Sequence, residues 1–220
     1  MTQPPDPGPE KEKPPQGRFI VLDGIDGCGK STQARLVEKA LINRGMDVVL
    51  THEPGGTRIG RRIRRVLLDP ETGDADPLTE ALLFCADRAQ HVNSLIRPSL
   101  QQGKTVICDR FASATAVYQG YAGKLGFDLA NTLNDIATGG LAPNLLIILD
   151  IDFEHARNRL QETGRDADRM ERNSREYFER VREGFIKYAE MHATSAVVVD
   201  ANRPIETVHE EIMAVVNRVL

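Results

Sequence analysis

The run Gly24-Ile25-Asp26-Gly27-Cys28-Gly29-Lys30-Ser31 fits the spacing G-x-x-x-x-G-K-[ST], and its residue types suit the cradling of a polyphosphate. Glycines let the backbone turn tightly, so that successive N–H groups converge on phosphate oxygens. A helix starting at the end of the run adds its positive pole. Lys30 would bring a compact cation to the β- and γ-phosphates, and the Ser31 hydroxyl would take a Mg²⁺ position. Composition alone would produce such a match about once in a hundred chains of this length. Residues Gly24 through Thr32 are therefore the candidate site for ATP as co-substrate. A second pair, Asp109-Arg110, sets a Mg²⁺-directed carboxylate beside a guanidinium fork, which suits a site where two anions must be held together. A GTP-dependent switch would need D-x-x-G at this point, but Asp109 is followed by Arg110, Phe111 and Ala112, and N-K-x-D occurs nowhere in the chain.

The elements that must carry these groups alternate. Short apolar runs, Phe19 to Asp23, Val48 to Thr51, Thr105 to Asp109, Leu145 to Asp150 and Ala196 to Asp200, are separated by longer helical patterns. Continuous apolar strands divided by helices predict an α/β fold of the P-loop NTPase type: three layers, a five-stranded parallel sheet covered by helices on both faces. Several runs end in Asp at the strand's carboxyl end, and the second passes into His52-Glu53-Pro54; ligands of open α/β sheets bind along that edge. A helix is expected from Pro77 to Leu100. The charged, aperiodic stretch from Thr163 to Ser174 is expected to be a short lid between two helices. Residues 1–17 hold six of the 12 prolines and no aromatic residue, and form an expected flexible leader to a single domain over 18–220.

Composition narrows the classes. The 220 residues are 40% apolar and 27% charged, which is the profile of a globular chain. No stretch approaches the roughly 20 apolar residues that cross a bilayer, and the proline-rich start is no secretory signal, so no membrane association and a cytoplasmic location are expected. Three cysteines without metal-ligand spacing read as reduced thiols. A net charge of −4 argues against a nucleic-acid partner.

Five blocks, Thr51-His-Glu-Pro-Gly-Gly-Thr57, the run LLFCADRAQH from Leu82 to His91, CDRF from Cys108 to Phe111, TAVYQG from Thr115 to Gly120 and DADRME from Asp166 to Glu171, resemble the thymidylate kinase family in order and spacing, from Arg18 to about Pro204. The resemblance implies ATP- and Mg²⁺-dependent phosphorylation of dTMP to dTDP, a step of deoxynucleotide synthesis, by a homodimer. It matches Phe84 to a residue that stacks on thymine and Arg88, one turn further along the helix, to a donor to a thymine carbonyl. Arg110 and Arg64 match arginines on the acceptor phosphate, Tyr118 and Gln119 residues lining the sugar and base pocket, Asp26 a group reaching the acceptor's 3′-hydroxyl, and Glu53 a carboxylate near metal and phosphate. Ser31 and Asp109 are the implied metal ligands. The apolar stripes around Leu82, Leu83 and Ala86, and around Leu129, Leu133 and Ile136, would permit a dimer. The chain departs from the family pattern at Asp23, His52, Phe111 and Ala114.

Transfer between two phosphates asks for positioning and charge neutralisation rather than a general base. Lys30, Arg110 and Asp109 are the expected catalytic groups, and one more cation is needed at the transition state. The family supplies it from the P-loop or from the lid. Gly27 stands where the first kind has Arg, so the lid variant is implied, with Arg165 preferred over Arg169. Arg165→Ala is expected to lower kcat by about 10-fold or more with little change in KM for either nucleotide; steady-state kinetics showing an unchanged kcat would remove Arg165 from this role.

Overall fold

The computed structural model describes residues 17–73, 75–123, 125–162, 164, 169–170 and 173–220. Residues 1–16 of the expected leader and most of the expected lid, including Arg165, lie outside the described residues.

Five strands, β1 (Phe19–Asp23), β2 (Val48–His52), β3 (Thr105–Asp109), β4 (Leu145–Asp150) and β5 (Ala196–Asp200), form one parallel sheet in the order β2-β3-β1-β4-β5. All five coincide with the apolar runs, with β2 one residue longer. Order explains burial: the central strands β1 and β4 are almost wholly inside, whereas the edge strands β2 and β5 keep partly exposed positions. Because every strand points the same way, Asp23, His52, Asp109, Asp150 and Asp200 all reach one edge of the sheet.

The connections are helical. They are α1 (Lys30–Ile42), α2 (Arg58–Leu68), α3 (Pro77–His91), α4 (Arg97–Gln101), α5 (Ala112–Thr115), α6 (Phe127–Thr138), α7 (Phe153–Glu162), α8 (Arg175–Met191) and α9 (Ile205–Val216). Start signals are legible locally. The Thr57 side chain accepts from Gly60 N–H at the head of α2, Asp76 accepts from Leu78 and Thr79 N–H ahead of Pro77 at the head of α3, and Ser174 accepts from Tyr177 N–H at the head of α8. The single helix expected from Pro77 to Leu100 is interrupted. A π-helical turn, Val92–Ile96, separates α3 from α4, just before Pro98, whose missing N–H ends the regular ladder. A second π-helical turn, Ala116–Tyr121, follows α5.

Helix α1 packs on β1, β2, β3 and α9, while α8 packs on β4, β5 and the turn at Ala116–Tyr121; α2, α3 and α6 pack in succession beside them. The core runs through the centre of the sheet, from Phe19, Ile20 and Val21 to Ile107, Ile147 and Ile148, with Val37, Ile96, Phe185 and Ile212 closing it from the helices. This is the expected three-layer P-loop architecture, and it fixes the carboxyl edge as a rigid platform.

Candidate active site

At the end of β1 the chain enters the glycine-rich loop. Gly27 has φ 82°, and a Cβ there would lie 2.3 Å from the Ala156 carbonyl oxygen on α7, so an arginine at this position is excluded by backbone sterics. Helix α1 begins directly at Lys30 with no side-chain cap, which leaves its first N–H groups for an anion. Lys30 is buried, its Nζ donating to the Gly24 and Ile25 carbonyls at 3.2 and 2.9 Å. The Ser31 hydroxyl donates to Asp109 Oδ2, so the loop and the end of β3 bring a hydroxyl and a carboxylate together. These are hard oxygen donors, few in number, as suits Mg²⁺ shared between protein and phosphates.

Arg110 stands at the middle of this edge. Its backbone is left-handed, φ 73°, and its N–H donates to the Leu22 carbonyl at 2.9 Å. Nη1 donates to Asp23 Oδ1 at 3.3 Å and to the Gly24 carbonyl at 3.2 Å; Nη2 donates to Asp26 Oδ1 at 2.6 Å. The guanidinium also lies 5.2 Å from the Tyr118 ring centroid. Burial opposes ionisation of Asp26, but Arg110 and Lys30 outweigh it and hold the carboxyl down at about 2. Burial dominates at Asp23 and raises its pKa; Asp23 also accepts from Gly24 N–H at 3.0 Å and from the Ser113 hydroxyl at 2.6 Å. Sequence reading noted Asp23 only as a departure. Its side chain meets Ser113 on α5, the helix that leaves the neighbouring strand β3, a pairing no spacing in the sequence announces.

Two cavities meet here. One lies over the glycine-rich loop and reaches Lys30, Ser31, Asp109 and Arg159; the other is lined by Phe84, Thr115, Tyr118, Gln119 and Met170. Asp26, Glu53, Arg64 and Arg110 line both. Of the five arginines on α2, Arg64 is the one that lines both cavities, and its Nη1 donates to the Pro54 carbonyl at 2.8 Å. Arg88 is engaged by protein groups. It is fully buried and does not line the second cavity, because its guanidinium is taken by Glu53, Thr115, Asn134 and the Phe111 carbonyl. At His52, partial desolvation and then the Arg64 charge push the pKa down. A third cavity beside the loop, lined by Gln33, Arg159, Arg203, Pro204 and Ile205, was not foreseen, since its walls come from α1, α7 and the turn before α9.

Beneath Glu53 lies a network that periodicity could have suggested. Glu80, Phe84, Asp87, Arg88 and His91 form one stripe of α3 at helical spacing. Glu53 Oε2 accepts from Arg88 Nε at 2.9 Å, its Oε1 pairs with His91 Nδ1 at 2.9 Å, and His91 Nε2 meets the Thr51 hydroxyl at 2.7 Å. Asp87 Oδ1 accepts from Gly55 N–H at 3.0 Å, one residue past the cis Glu53-Pro54 bond, and its Oδ2 finds no partner among the described residues. Gly60 is obligatory there, because a Cβ would sit 2.2 Å from that Oδ1. Burial first, then the Glu53 charge, push the Asp87 carboxyl up to about 6. A carboxyl raised above its unfolded value of 3.8 contributes no penalty when protonated in both states; the penalty grows as pH rises between these values and is full above about 6. Asp87→Asn is therefore expected to gain stability relative to the wild type, on the order of 1–3 kcal/mol, between pH 4 and pH 7. Urea unfolding at the two pH values measures it, and parallel pH slopes for both proteins would show that Asp87 does not titrate in this window.

Known proteins resemble this chain along almost its full length. A family model described as thymidylate kinase matches residues 22–212. The thymidylate kinase of Symbiobacterium thermophilum is 48% identical over 202 residues, covering 92% of this chain and 94% of its own, and that of Pelotomaculum thermopropionicum is 42% identical over 205 residues, covering 93% and 95%. A crystal structure of the Ehrlichia chaffeensis thymidylate kinase superimposes with a TM-score of 0.75 at 33% identity, over 92% of this chain and 100% of that one. With a phosphate cradle and a second cavity joined through shared arginines and carboxylates, and with this likeness along almost its full length, the chain belongs to the thymidylate kinase family of nucleoside monophosphate kinases.

Proposed function

We propose that this chain transfers the γ-phosphoryl group of ATP to dTMP in the presence of Mg²⁺, and that it does so in the cytoplasm as a homodimer. The observation that carries the chemistry is the shared wall of the two cavities: Arg110 and Arg64 face both, so one pair of cations touches the donor's terminal phosphate and the acceptor's phosphate together. The donor's phosphates follow the loop from Gly24 to Thr32, with Lys30 released from its carbonyls to the β- and γ-phosphates. The donor base takes the third cavity, where the Gln33 amide donates to the Ile205 carbonyl at 2.9 Å and its buried Oε1 has no partner among the described residues. Ser31 and Asp109 would hold Mg²⁺, which when bound neutralises phosphate charge and orients the γ-group.

In the second cavity Phe84 offers a ring face to the acceptor base, while Tyr118, buried beside Asp26, crowds the sugar. Asp26, kept ionised by Arg110, is placed to accept from the 3′-hydroxyl. Glu53, fixed by Arg88 and His91, sets the acceptor side of the loop between β2 and α2. Arg88 thus acts behind the cavity wall in this arrangement. No side chain is needed as a base, since the attacking group is already an anionic oxygen; the fold brings two anions into line and offsets their repulsion. A nucleotide-gated binding module would share the cradle but has no use for a second cavity opening onto the same arginines.

With ATP and Mg²⁺, ADP release is expected to depend on dTMP and to be much slower with dUMP or AMP, and Lys30→Ala is expected to lose about 10²–10³-fold in kcat. A coupled assay for ADP measures both, and acceptor-independent release would remove the kinase reading. For the assembly, Ile59 and Val66 of α2, Leu78 and Leu82 of α3, and Leu129 and Ile136 of α6 are exposed apolar side chains on three successive helices. Light scattering is expected to give twice the chain mass, falling to one chain in Leu82→Asp with Ile136→Asp; a single-chain mass in the wild type contradicts the dimer.

A further inference from the structure

Resting on the reading of the second cavity as an acceptor pocket, we infer that Glu80 is a positioning residue that makes the pocket selective for a base with an N–H at ring position 3. Glu80 lies on the first turn of α3, four residues before Phe84, and is mostly buried. Its Oε1 accepts from Gln119 Nε2 at 2.7 Å, and its Oε2 is paired with the Arg169 guanidinium, which also donates through Nε to the Leu67 carbonyl at 2.9 Å. Gln119 is itself buried and lines the cavity.

The two ends of an amide are nearly isosteric, so nothing in the shape of Gln119 decides which end serves a ligand. Glu80 decides it. A carboxylate only accepts, and Arg169 occupies its other oxygen, so one hydrogen of the Gln119 NH₂ end is bound to α3 and the amide is turned with its carbonyl oxygen toward the base. A carbonyl oxygen matches the N3–H of thymine or uracil. Cytosine presents a lone pair at the same ring position, and two acceptors meeting in a buried pocket leave both unpaired. Phe84 and Tyr118 cannot supply this discrimination, since a ring face and a sugar contact treat the two pyrimidines alike.

The test compares kcat/KM for dTMP and dCMP in the wild type, in Glu80→Gln, in Gln119→Leu and in the double variant. Glu80→Gln keeps the shape of the side chain but can donate, which frees the Gln119 amide to turn. It is expected to lower the dTMP to dCMP ratio about 10- to 100-fold, through a loss on dTMP and a gain on dCMP, with the melting temperature little changed. Because Glu80 acts through Gln119, adding Glu80→Gln to Gln119→Leu is expected to leave the ratio where Gln119→Leu alone puts it. An unchanged ratio, equal losses on both nucleotides, or additive effects in the double variant would each overturn the inference. Should Glu80→Gln not fold, Glu80→Asp, which shortens the same acceptor, is read by the same ratio. A wild type that phosphorylates neither nucleotide would instead remove the kinase reading and this inference with it, whereas an active wild type with an unmoved ratio removes only the role of Glu80.

Discussion

Arg110 is held at the wall shared by the two cavities, where on the proposed reading two phosphorylated ligands would repel each other most, and the surrounding structure is organised around keeping its charge there. The residue is left-handed without being glycine, a conformation that costs on the order of 1–3 kcal/mol. What offsets that cost is visible: its N–H extends the β3–β1 ladder to Leu22, and its guanidinium reaches Asp23, the Gly24 carbonyl and Asp26. Burial alone would discourage the cation, yet the carboxylates of Asp26 and Asp23 push its pKa well above the ordinary arginine value. The carboxylates also explain why an acidic residue sits inside a phosphate loop. Asp26 would be a liability next to a triphosphate, and it becomes a partner once the end of β3 places Arg110 against it.

Helix α3 has a comparable organising role on the acceptor side. Its single stripe from Glu80 to His91 sets an aromatic face, a carboxylate that orients an amide, and an arginine–histidine clamp on Glu53, all spaced by helical turns. A rigid helix keeps the distance between base and phosphate recognition constant, which a loop could not. The glycines opposite the stripe follow from it: Gly60 has its form because Asp87 occupies the space a side chain would need. The buried Asp87 carboxyl is a local cost to stability, retained where it anchors the Gly55 amide.

The donor side shows a steric choice with chemical consequences. Gly27 lies against the Ala156 carbonyl of α7, so no side chain fits between loop and helix. A cation at the transferring phosphate must then come from elsewhere. On the proposed reading Arg110 and Arg64 supply it from the sheet edge and α2, Lys30 and Arg159 line the same cavity, and Arg165, in the segment between α7 and α8, is the further candidate. Arg169 of that segment is engaged with Glu80 and the Leu67 carbonyl, which ties it to the acceptor side.

The sequence by itself determined the five strands, their common direction and the phosphate loop, because these depend on local regularities: continuous apolar runs that must be buried on both faces, and glycines at fixed spacing before a helix. It also identified Phe84, Tyr118, Gln119 and Arg110 as candidates through short blocks of matching residues, and Arg64 by its match on the second helix, and the fold brings them around two joined cavities. Tertiary structure decided what no local pattern encodes. Whether Arg88 faces a ligand or a carboxylate depends on Glu53 and Asn134, 35 and 46 residues away. That Asp23 closes on Ser113, 90 residues on, and that Glu80 meets Gln119, 39 residues on, depends on which strand lies beside which. Apolar burial is a property each residue carries with it, so it can be read along the chain; a hydrogen bond belongs to a pair, and the chain must fold before the pair exists.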